Sequence, residues 1–344
     1  MILTAPDLCP ILNDEHTLQL YKSILLSFIN SAKQGEPRLP ISLKQLQTGR
    51  GITLGLKAAR VLRILTESAR AIKHTRFLTM RGIYYSSPNL FDSQTVSDRL
   101  IDELCRGLEL TREDMHLRAA AKGLLFGPAT ICTALGEITA NTVSETSVTV
   151  HFFYLQQIRT PARFALVVEK DTIFERIIDV FAELRTVLGQ DFLLITGRGY
   201  PDLATRALMN FFHRVEFPIL GLADGDAHGM AILYNYGYGG ISAATIRRQG
   251  VQGGGLTAPS LIPIGLFTSQ IRTSYHGLQV NAEDLKLYGR LITLLRERHR
   301  EEWARQVEAL ASLGMKYELE ELLANPEDVV RCLATIIRNE LTYF

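Results

Sequence analysis

The sequence predicts a mixed α/β protein: a helical amino-terminal part, then an α/β part built on a parallel sheet. Three observations carry this. Apolar runs at Arg163–Val168, Phe192–Thr196 and Phe217–Ala223 have the length and composition of buried strands. Helical stretches separate them, one from Thr172 to Leu188 and another after Gly197-Arg-Gly-Tyr200-Pro, and such alternation gives a parallel sheet with helices on both faces. Nearer the amino terminus, apolar residues recur instead at helical spacing, as in Leu18, Leu20, Tyr21, Ile24, Leu25 and Phe28.

Taken in order, a helix is expected over Thr17–Ser31, ended by Gln34-Gly-Glu-Pro37-Arg-Leu-Pro40. A second, over about Leu54–Ile72, mixes apolar residues with a basic face. Ser86-Ser87-Pro88-Asn89 reads as a loop, and a helix follows from Asp92 or Ser93 to about Arg106, with Gly107 placed to end it. Met115–Ala120 and Leu124–Phe126 flank Ala121-Lys122-Gly123 and read as a hairpin with Lys122 near its tip. Helices followed by a basic-tipped hairpin suggest a winged-helix module. Ala129–His151, rich in Thr, Ser and Asn, reads as weak strands and the link between domains. Past the buried strands, Gln249–Gly255 is glycine-rich, Leu261–Phe267 reads as one more strand, and Asp284–Ala311 as one long amphipathic helix. Asn325-Pro326-Glu-Asp opens a final helix with Pro inside its start and acids in its first turn. The expected division is a helical extension over 1–55, a tyrosine-bearing domain over 56–150 and an acidic-cluster domain over 151–344.

The 344 residues suffice for two domains, and a hydrophobic fraction of 47% is ordinary for a globular protein. The net charge of +1 gives no global nucleic-acid signature. Its distribution says more: Arg38, Lys44, Arg50, Lys57, Arg60, Arg63, Arg70, Lys73, Arg76 and Arg81 are opposed only by Glu67. Such a stretch can neutralise phosphates, and it is equally what a solvated helix face looks like. Cys9, Cys105, Cys132 and Cys332 lie far apart, without a Cys-x-x-Cys, and suggest neither a zinc site nor a disulfide framework; they fit a reducing compartment. Met1–Pro10 lacks the apolar core of a secretory signal, and no apolar run reaches membrane-spanning length. No GxxxxGK[ST] occurs, so a P-loop ATPase is unsupported.

The stretch Leu222-Ala223-Asp224-Gly225-Asp226-Ala227-His228-Gly229 follows the third apolar run. At strand spacing, residues i and i+2 point to one side, so both aspartates can converge past the strand end. Gly225 lets the backbone turn there. A hard cation such as Mg²⁺ takes a few carboxylate oxygens and keeps several waters. Alone, Asp-x-Asp also describes a solvated turn. Glu169, however, ends the first strand in the same way, and ligands of such sheets sit at the carboxyl ends of strands. A glutamate after one strand and Asp-x-Asp after a later one resemble the Toprim domain of topoisomerases and primases.

Tyr84 and Tyr85 follow Arg81 closely. A phenol can attack a phosphodiester and retain its bond energy in a phosphotyrosine, given activation and nearby cations. Paired tyrosines by themselves are more often core or interface residues. Their setting changes the reading. Arg81-Gly-Ile-Tyr-Tyr85, Leu90-Phe91 with Gln94, Lys122-Gly-Leu-Leu-Phe-Gly127, Val168-Glu-Lys-Asp171, Ile195-Thr-Gly-Arg-Gly-Tyr-Pro-Asp202 and Asp224-Gly-Asp-Ala-His-Gly229 fall in one order. Over roughly Arg60–Phe267 this resembles the A subunit of archaeal topoisomerase VI and its eukaryotic relative, which makes meiotic double-strand breaks. The short amino terminus and the Arg-x-Ile-Tyr-Tyr form look closer to the meiotic branch.

The resemblance implies a winged-helix domain like that of catabolite activator protein, followed by a Toprim domain. It implies Tyr85 as nucleophile, forming a 5′-phosphotyrosyl bond and releasing a 3′ hydroxyl. It implies Arg81 at the phosphoryl oxygens, Mg²⁺ on Glu169, Asp224 and Asp226, and Lys122, Lys170 and Tyr200 against DNA. His228 is expected to support its loop. The implied partners are double-stranded DNA, a second copy in a homodimer with each active site shared between protomers, a GHKL-type ATPase of the B-subunit kind, and accessory meiotic proteins. The place is the nucleus, on chromosomes, with no membrane. Gly82 stands where many relatives carry an acid, Met80 where they often carry lysine, and Ala227 replaces a usual proline. Rival readings are a topoisomerase VI A-type chain passing strands with ATP, a non-catalytic DNA-binding scaffold, and a Toprim hydrolase using metal-activated water.

Overall fold

The computed structural model describes residues 1–4, 14–34, 38–39, 52–53, 55–74, 76–112, 114–118, 122–133, 136–140, 148–149, 155–241, 256–271, 275–322 and 326–341. The expectations for Gln249–Gly255 and for Lys44, Arg50 and Cys9 lie outside the described residues. The chain packs as two compact units, one of residues 10–120 and one of residues 1–9 with 121–344. This differs from the division at 150 drawn from composition, because strands between 124 and 159 hydrogen-bond into the sheets of the second unit. Residues 2–4 form β1 (Ile2–Thr4), which pairs there with Leu155–Arg159.

The unit of residues 10–120 is helical. α1 (Asp14–Lys33) is followed by the antiparallel pair β2 (Arg38–Leu39) and β3 (Ile52–Thr53), then α2 (Leu56–Lys73). α2 buries Ala58, Val61, Ile64, Leu65, Ala71 and Ile72 on one face, as its periodicity requires. After β4 (Leu78–Thr79) come α3 (Met80–Tyr85), α4 (Pro88–Phe91), α5 (Gln94–Leu108) and β5 (Leu117–Arg118). α5 contributes Leu100, Ile101 and Leu104 to a core shared with Tyr21, Ile24, Ile83, Phe91, Met115 and Leu117. Two local expectations are corrected. Ser86–Asn89 is not all loop, since Pro88 starts α4 from its first position, where its missing N–H costs nothing. α5 runs through Gly107 and ends at Glu109, which takes the left-handed conformation itself.

The expected hairpin is also corrected. β5 pairs in parallel with β4, while β6 (Leu124–Phe126) pairs antiparallel with Phe192–Thr196 in the main sheet of the second unit. All three residues of β6 are buried, which suits a sheet interior and not a half-exposed wing. Lys122 therefore sits at the entry to a sheet strand. The helices expected of a winged-helix module are present; the hairpin is not formed by these residues.

The second unit centres on a six-stranded sheet. It contains β9 (Val148–Thr149), β11 (Phe164–Val168), β12 (Phe192–Thr196), β13 (Ile219–Leu222) and β14 (Ile262–Gly265) with β6, in the order β14-β13-β11-β12-β6-β9. The neighbours from β14 to β12 are parallel. A four-stranded antiparallel sheet, β1-β10-β7-β8, is made from β1, β7 (Ala129–Thr133), β8 (Gly136–Ala140) and β10 (Leu155–Arg159). In the main sheet, side chains alternate between two cores. Phe164, Leu166, Val168, Leu194 and Leu222 face one with α6 (Asp171–Asp179), α7 (Phe181–Leu188) and the helix Pro326–Leu341. Ala165, Val167, Leu193, Ile195 and Ile219 face the other with α8 (Leu203–Arg214) and α9 (Ala227–Tyr238). The long helix expected over Asp284–Ala311 is two, Ala282–Glu297 and Glu301–Leu313, broken where His299 takes a positive φ of 58°. The chain leaves β11 for β12 on one side and returns to β13 on the other. That reversal puts the switch point of the sheet at the carboxyl ends of β11 and β13, the usual ligand position in such sheets.

Candidate active-site residues

In the unit of residues 10–120, Thr79 caps α3, its Oγ1 accepting from the Gly82 N–H at 2.9 Å. Arg81 and Tyr85 are four residues apart on this helix, so they share a face. The Tyr85 side chain is 63% exposed, whereas Tyr84 packs against the core. Their rings lie 5.2 Å apart and tilted by 51°. Arg81 Nε donates to Gln94 Oε1 at 3.4 Å. Residues that the sequence left as a generic basic stretch hold this segment in place. Arg63 Nη2 donates to the Ser86 carbonyl at 3.0 Å, directly after Tyr85, and pairs with Glu67 at 3.1 Å. Arg60 Nε donates to the Leu90 carbonyl at 2.6 Å, and its other end pairs with Asp92. These arginines serve the tyrosine segment and not a solvated face.

In the second unit, Glu169 follows β11 and Asp224 follows β13, and both are buried. Glu169 Oε2 accepts from the Asp224 N–H at 3.1 Å. Asp224 Oδ1 accepts from the Leu319 N–H at 2.9 Å, and its Oδ2 lies 2.8 Å from Lys170 Nζ. Asp226 caps α9, its Oδ1 accepting from Gly229 N–H at 2.7 Å. Both glycines of the motif answer to close approach. A Cβ at Gly225 would lie 3.0 Å from the Leu266 carbonyl oxygen, and one at Gly229 would lie 2.4 Å from that of Asp224.

Burial, followed by the charge of Asp224, pushes the Glu169 carboxyl up to about 8. Burial pushes Asp224 up to about 6, although Lys170 and the Leu319 N–H work against it. For Lys170 itself burial acts downward, but the hydrogen bond and charge of Asp224, then those of Glu320, hold its ammonium above the ordinary range. Burial and then the charges of Glu169 and Asp226 raise the Tyr200 phenol, the opposite of what a nucleophile needs.

Among the described residues no group of three or more His, Cys, Asp or Glu stands ready to hold a metal ion. Asp224 is turned to Lys170 and Leu319, and Asp226 to its helix. The donors nonetheless fit a hard divalent cation. All three groups are carboxylates at one end of the sheet, and Glu169 Oε1 and Asp226 Oδ2 have no partner among the described residues. The cluster already attracts a positive charge, the Lys170 ammonium, as mutually repelling buried carboxylates require.

The remaining expected residues lie around this cluster. Lys122 N–H donates to Asp202 Oδ2 at 2.7 Å and its Nζ to the Arg198 carbonyl at 3.2 Å, which fixes it beside the Gly197–Asp202 loop. The Tyr200 hydroxyl lies 3.5 Å from His228 Nδ1, and His228 Nε2 lies 4.0 Å from Asp284, which Lys316 also engages at 2.8 Å. The sequence reading missed the Leu319 N–H, Glu320, Asp284 and Lys316. The acidic run Glu318-Leu-Glu320-Glu321 was the one visible signal for part of this set.

An exposed tyrosine beside an arginine on a small helical unit, and a strand-end glutamate with Asp-x-Asp on a parallel sheet, define a topoisomerase-like DNA-cleaving transesterase carrying a Toprim domain, a metal-binding domain. Residues 164–332 match the family model for the Toprim domain of the topoisomerase 6 A-subunit/Spo11 proteins, and residues 56–117 match that of type IIB DNA topoisomerase. The chain is 29% identical over 273 residues to meiotic recombination protein SPO11-1 of Oryza sativa subsp. indica, covering 77% of this chain and 69% of that protein. It is 29% identical over 278 residues to meiotic recombination protein SPO11 of Homo sapiens, covering 77% of this chain and 67% of that protein. With meiotic recombination protein spo-11 of Caenorhabditis elegans the identity is 30% over 227 residues, covering 65% and 50%. The chain belongs to the topoisomerase 6 A-subunit/Spo11 family. Among the described residues no helix is long and apolar enough to cross a membrane.

Proposed function

We propose that this chain makes DNA double-strand breaks that initiate meiotic recombination, by transesterification through Tyr85. The observation that carries the reading is the exposed Tyr85 phenol, one helical turn from Arg81, on a segment clamped by Arg60 and Arg63. The names of the relatives, all meiotic recombination proteins, support the biological role.

In the step proposed, the Tyr85 oxygen forms a bond to a backbone phosphorus and loses its proton. The bond from phosphorus to the 3′ oxygen breaks, and that oxygen leaves as a hydroxyl once protonated. One phosphoester replaces another, so the break is resealable in principle and the 5′ end stays on the protein. Arg81, always charged, binds the phosphoryl oxygens as negative charge grows on them. Glu169, Asp224 and Asp226 would hold Mg²⁺, which when bound supplies positive charge to DNA phosphate. Lys122, Lys170 and Tyr200 are assigned to DNA contacts, and His228 to support of its loop. Two cut strands need two nucleophiles, so the acting species is a homodimer around a two-fold axis, with each site built from the tyrosine of one protomer and the metal of the other. No P-loop motif occurs in the chain, so any ATP dependence belongs to a GHKL-type B-subunit partner, with accessory meiotic proteins licensing the cut on nuclear chromosomes.

Incubation with double-stranded DNA and such a partner, followed by denaturation, tests the function. Breaks whose 5′ ends carry protein are expected, with free 3′ hydroxyls. Breaks with free 5′ phosphates would instead establish a Toprim hydrolase.

A further inference from the structure

The acidic cluster contains a basic group whose contacts within the chain are not accounted for by the DNA role assigned to it above. Lys170 follows Glu169 directly, and its Nζ lies 2.8 Å from Asp224 Oδ2, 3.1 Å from Glu320 Oε2 and 3.9 Å from Glu318 Oε1. The side chains of the three acids are 6%, 38% and 57% exposed, in that order. The ammonium thus stands at the inner end of a carboxylate series that leads from a buried group to a wet one.

The segment that carries the outer two carboxylates is held independently of the lysine, and so is the Glu320 carboxylate. Gly225 N–H donates to the Tyr317 carbonyl at 2.8 Å, Tyr317 N–H returns the bond at 3.3 Å, and Leu319 N–H reaches Asp224 at 2.9 Å. Leu319 is fully buried in the core beneath. Thr172 Oγ1 donates to Glu320 Oε1 at 3.2 Å, leaving Oε2 to the lysine. Glu320 therefore stays in reach whether or not Lys170 remains on Asp224.

We propose that Lys170 is a tethered cation that competes with the divalent metal for Asp224, and that Glu320, backed by Glu318, is the position to which it withdraws when metal binds. This rests on the metal reading given above. A lysine ammonium and a divalent cation cannot share one carboxylate oxygen, since like charges at contact distance repel strongly and the site is too buried for water to screen them. The long lysine stem allows the exchange by rotamer change alone. With no metal, the ammonium answers the repulsion among buried acids, so the site folds unloaded. With metal, the charge is handed outward and not lost, and Lys170 acts as a positioning residue that lowers and tunes metal affinity.

The test titrates the whole chain with Mn²⁺, free metal followed by electron paramagnetic resonance, and melts each protein with and without Mg²⁺. Lys170→Met is expected to bind Mn²⁺ about tenfold tighter, the scale of a typical coupling between two ligands. It should also melt lower than wild type without metal and gain more from Mg²⁺. Glu320→Gln alone, in the Lys170 background, should weaken binding several-fold. In the Lys170→Met background the same change should have almost no effect, because Glu320 acts through the lysine. Equal weakening in both backgrounds would make Glu320 a metal ligand itself and overturn the proposal, as would unchanged or weaker binding by Lys170→Met. If Lys170→Met does not fold, Glu320→Gln decides: binding that is unchanged or tighter refutes the withdrawal position. Asp226→Asn separates the two layers. If it binds Mn²⁺ as wild type does, the metal reading fails; if it loses metal while Lys170→Met is unchanged, only the lysine proposal fails.

Discussion

Asp226 has two jobs that one pair of substitutions can separate. Its Oδ1 caps α9 through the Gly229 N–H at 2.7 Å, and its charge belongs to the proposed metal cluster. Asparagine caps as well as aspartate does, and alanine does not, so Asp226→Ala should cost about 1 kcal/mol and Asp226→Asn nearly nothing. In a unit of this size about 1 kcal/mol lowers the melting temperature by roughly 2–4 °C. Asp226→Asn also removes a charge that raises both Glu169 and Asp224, so without metal it should melt at or slightly above wild type. Metal at about a hundred times its dissociation constant adds roughly 2.7 kcal/mol to a folded site. Wild type should gain that stabilisation and both variants should lose most of it. Differential scanning fluorimetry with and without MgCl₂ measures all of this. The reasoning is refuted if Asp226→Asn falls as far as Asp226→Ala, or if either variant keeps the full Mg²⁺ gain.

Three further outcomes are expected. Glu169 and Asp224 have raised pKa values when folded, so the native state holds protons that the unfolded chain releases. Their contribution to metal-free stability should therefore be complete below about pH 4 and fall as pH rises toward about 8, while Mg²⁺ affinity rises over the same window; pH-resolved melts check both signs. Gly229→Ala would press a Cβ to 2.4 Å from the Asp224 carbonyl oxygen, and should lower stability by about 1–3 kcal/mol and Mg²⁺ binding together, read by denaturant titration and metal titration. A differently tagged mixed dimer, one protomer Tyr85→Phe and the other Asp226→Asn, should nick one strand if sites are shared, since one site then carries both lesions and the other none; a DNA-bound dimer that never nicks places each site within one chain.

The main sheet was legible because β11, β12, β13 and β14 are apolar on both faces, and helical stretches fill the gaps up to β13; α9 was not read as a helix, because nearly all its residues are buried and it lacks a polar face. Glu169, Asp224 and Asp226 were legible because acids at strand ends are out of place in an apolar run. The tyrosine segment came from its motif. What failed depended on distant partners. Leu124–Phe126 is too short for periodicity to distinguish a wing from a sheet strand, and its pairing with β12 decides the matter. Glu320 reaches Lys170 across 150 residues, and no local pattern encodes that contact. Arg60 and Arg63 read equally as phosphate ligands or as a solvated face, because their carbonyl acceptors near Tyr85 carry no sequence signal. The break before Glu301 was hidden because charged residues at 296–300 fit a helix surface as well as a turn.

The central claim is that Tyr85 becomes covalently joined to DNA. The direct measurement is to cleave DNA with the reconstituted protein, denature, digest with nuclease and protease, and sequence the peptides by mass spectrometry. Tyr85 is 63% exposed, so Tyr85→Phe should leave stability within about 0.5 kcal/mol of wild type and DNA binding intact. The expected result is a nucleotide adduct on Tyr85 alone, absent from Tyr85→Phe and still present on Tyr85 in Tyr84→Phe. An adduct at the normal level in Tyr85→Phe, on Tyr84 or on any other residue, would contradict the assignment.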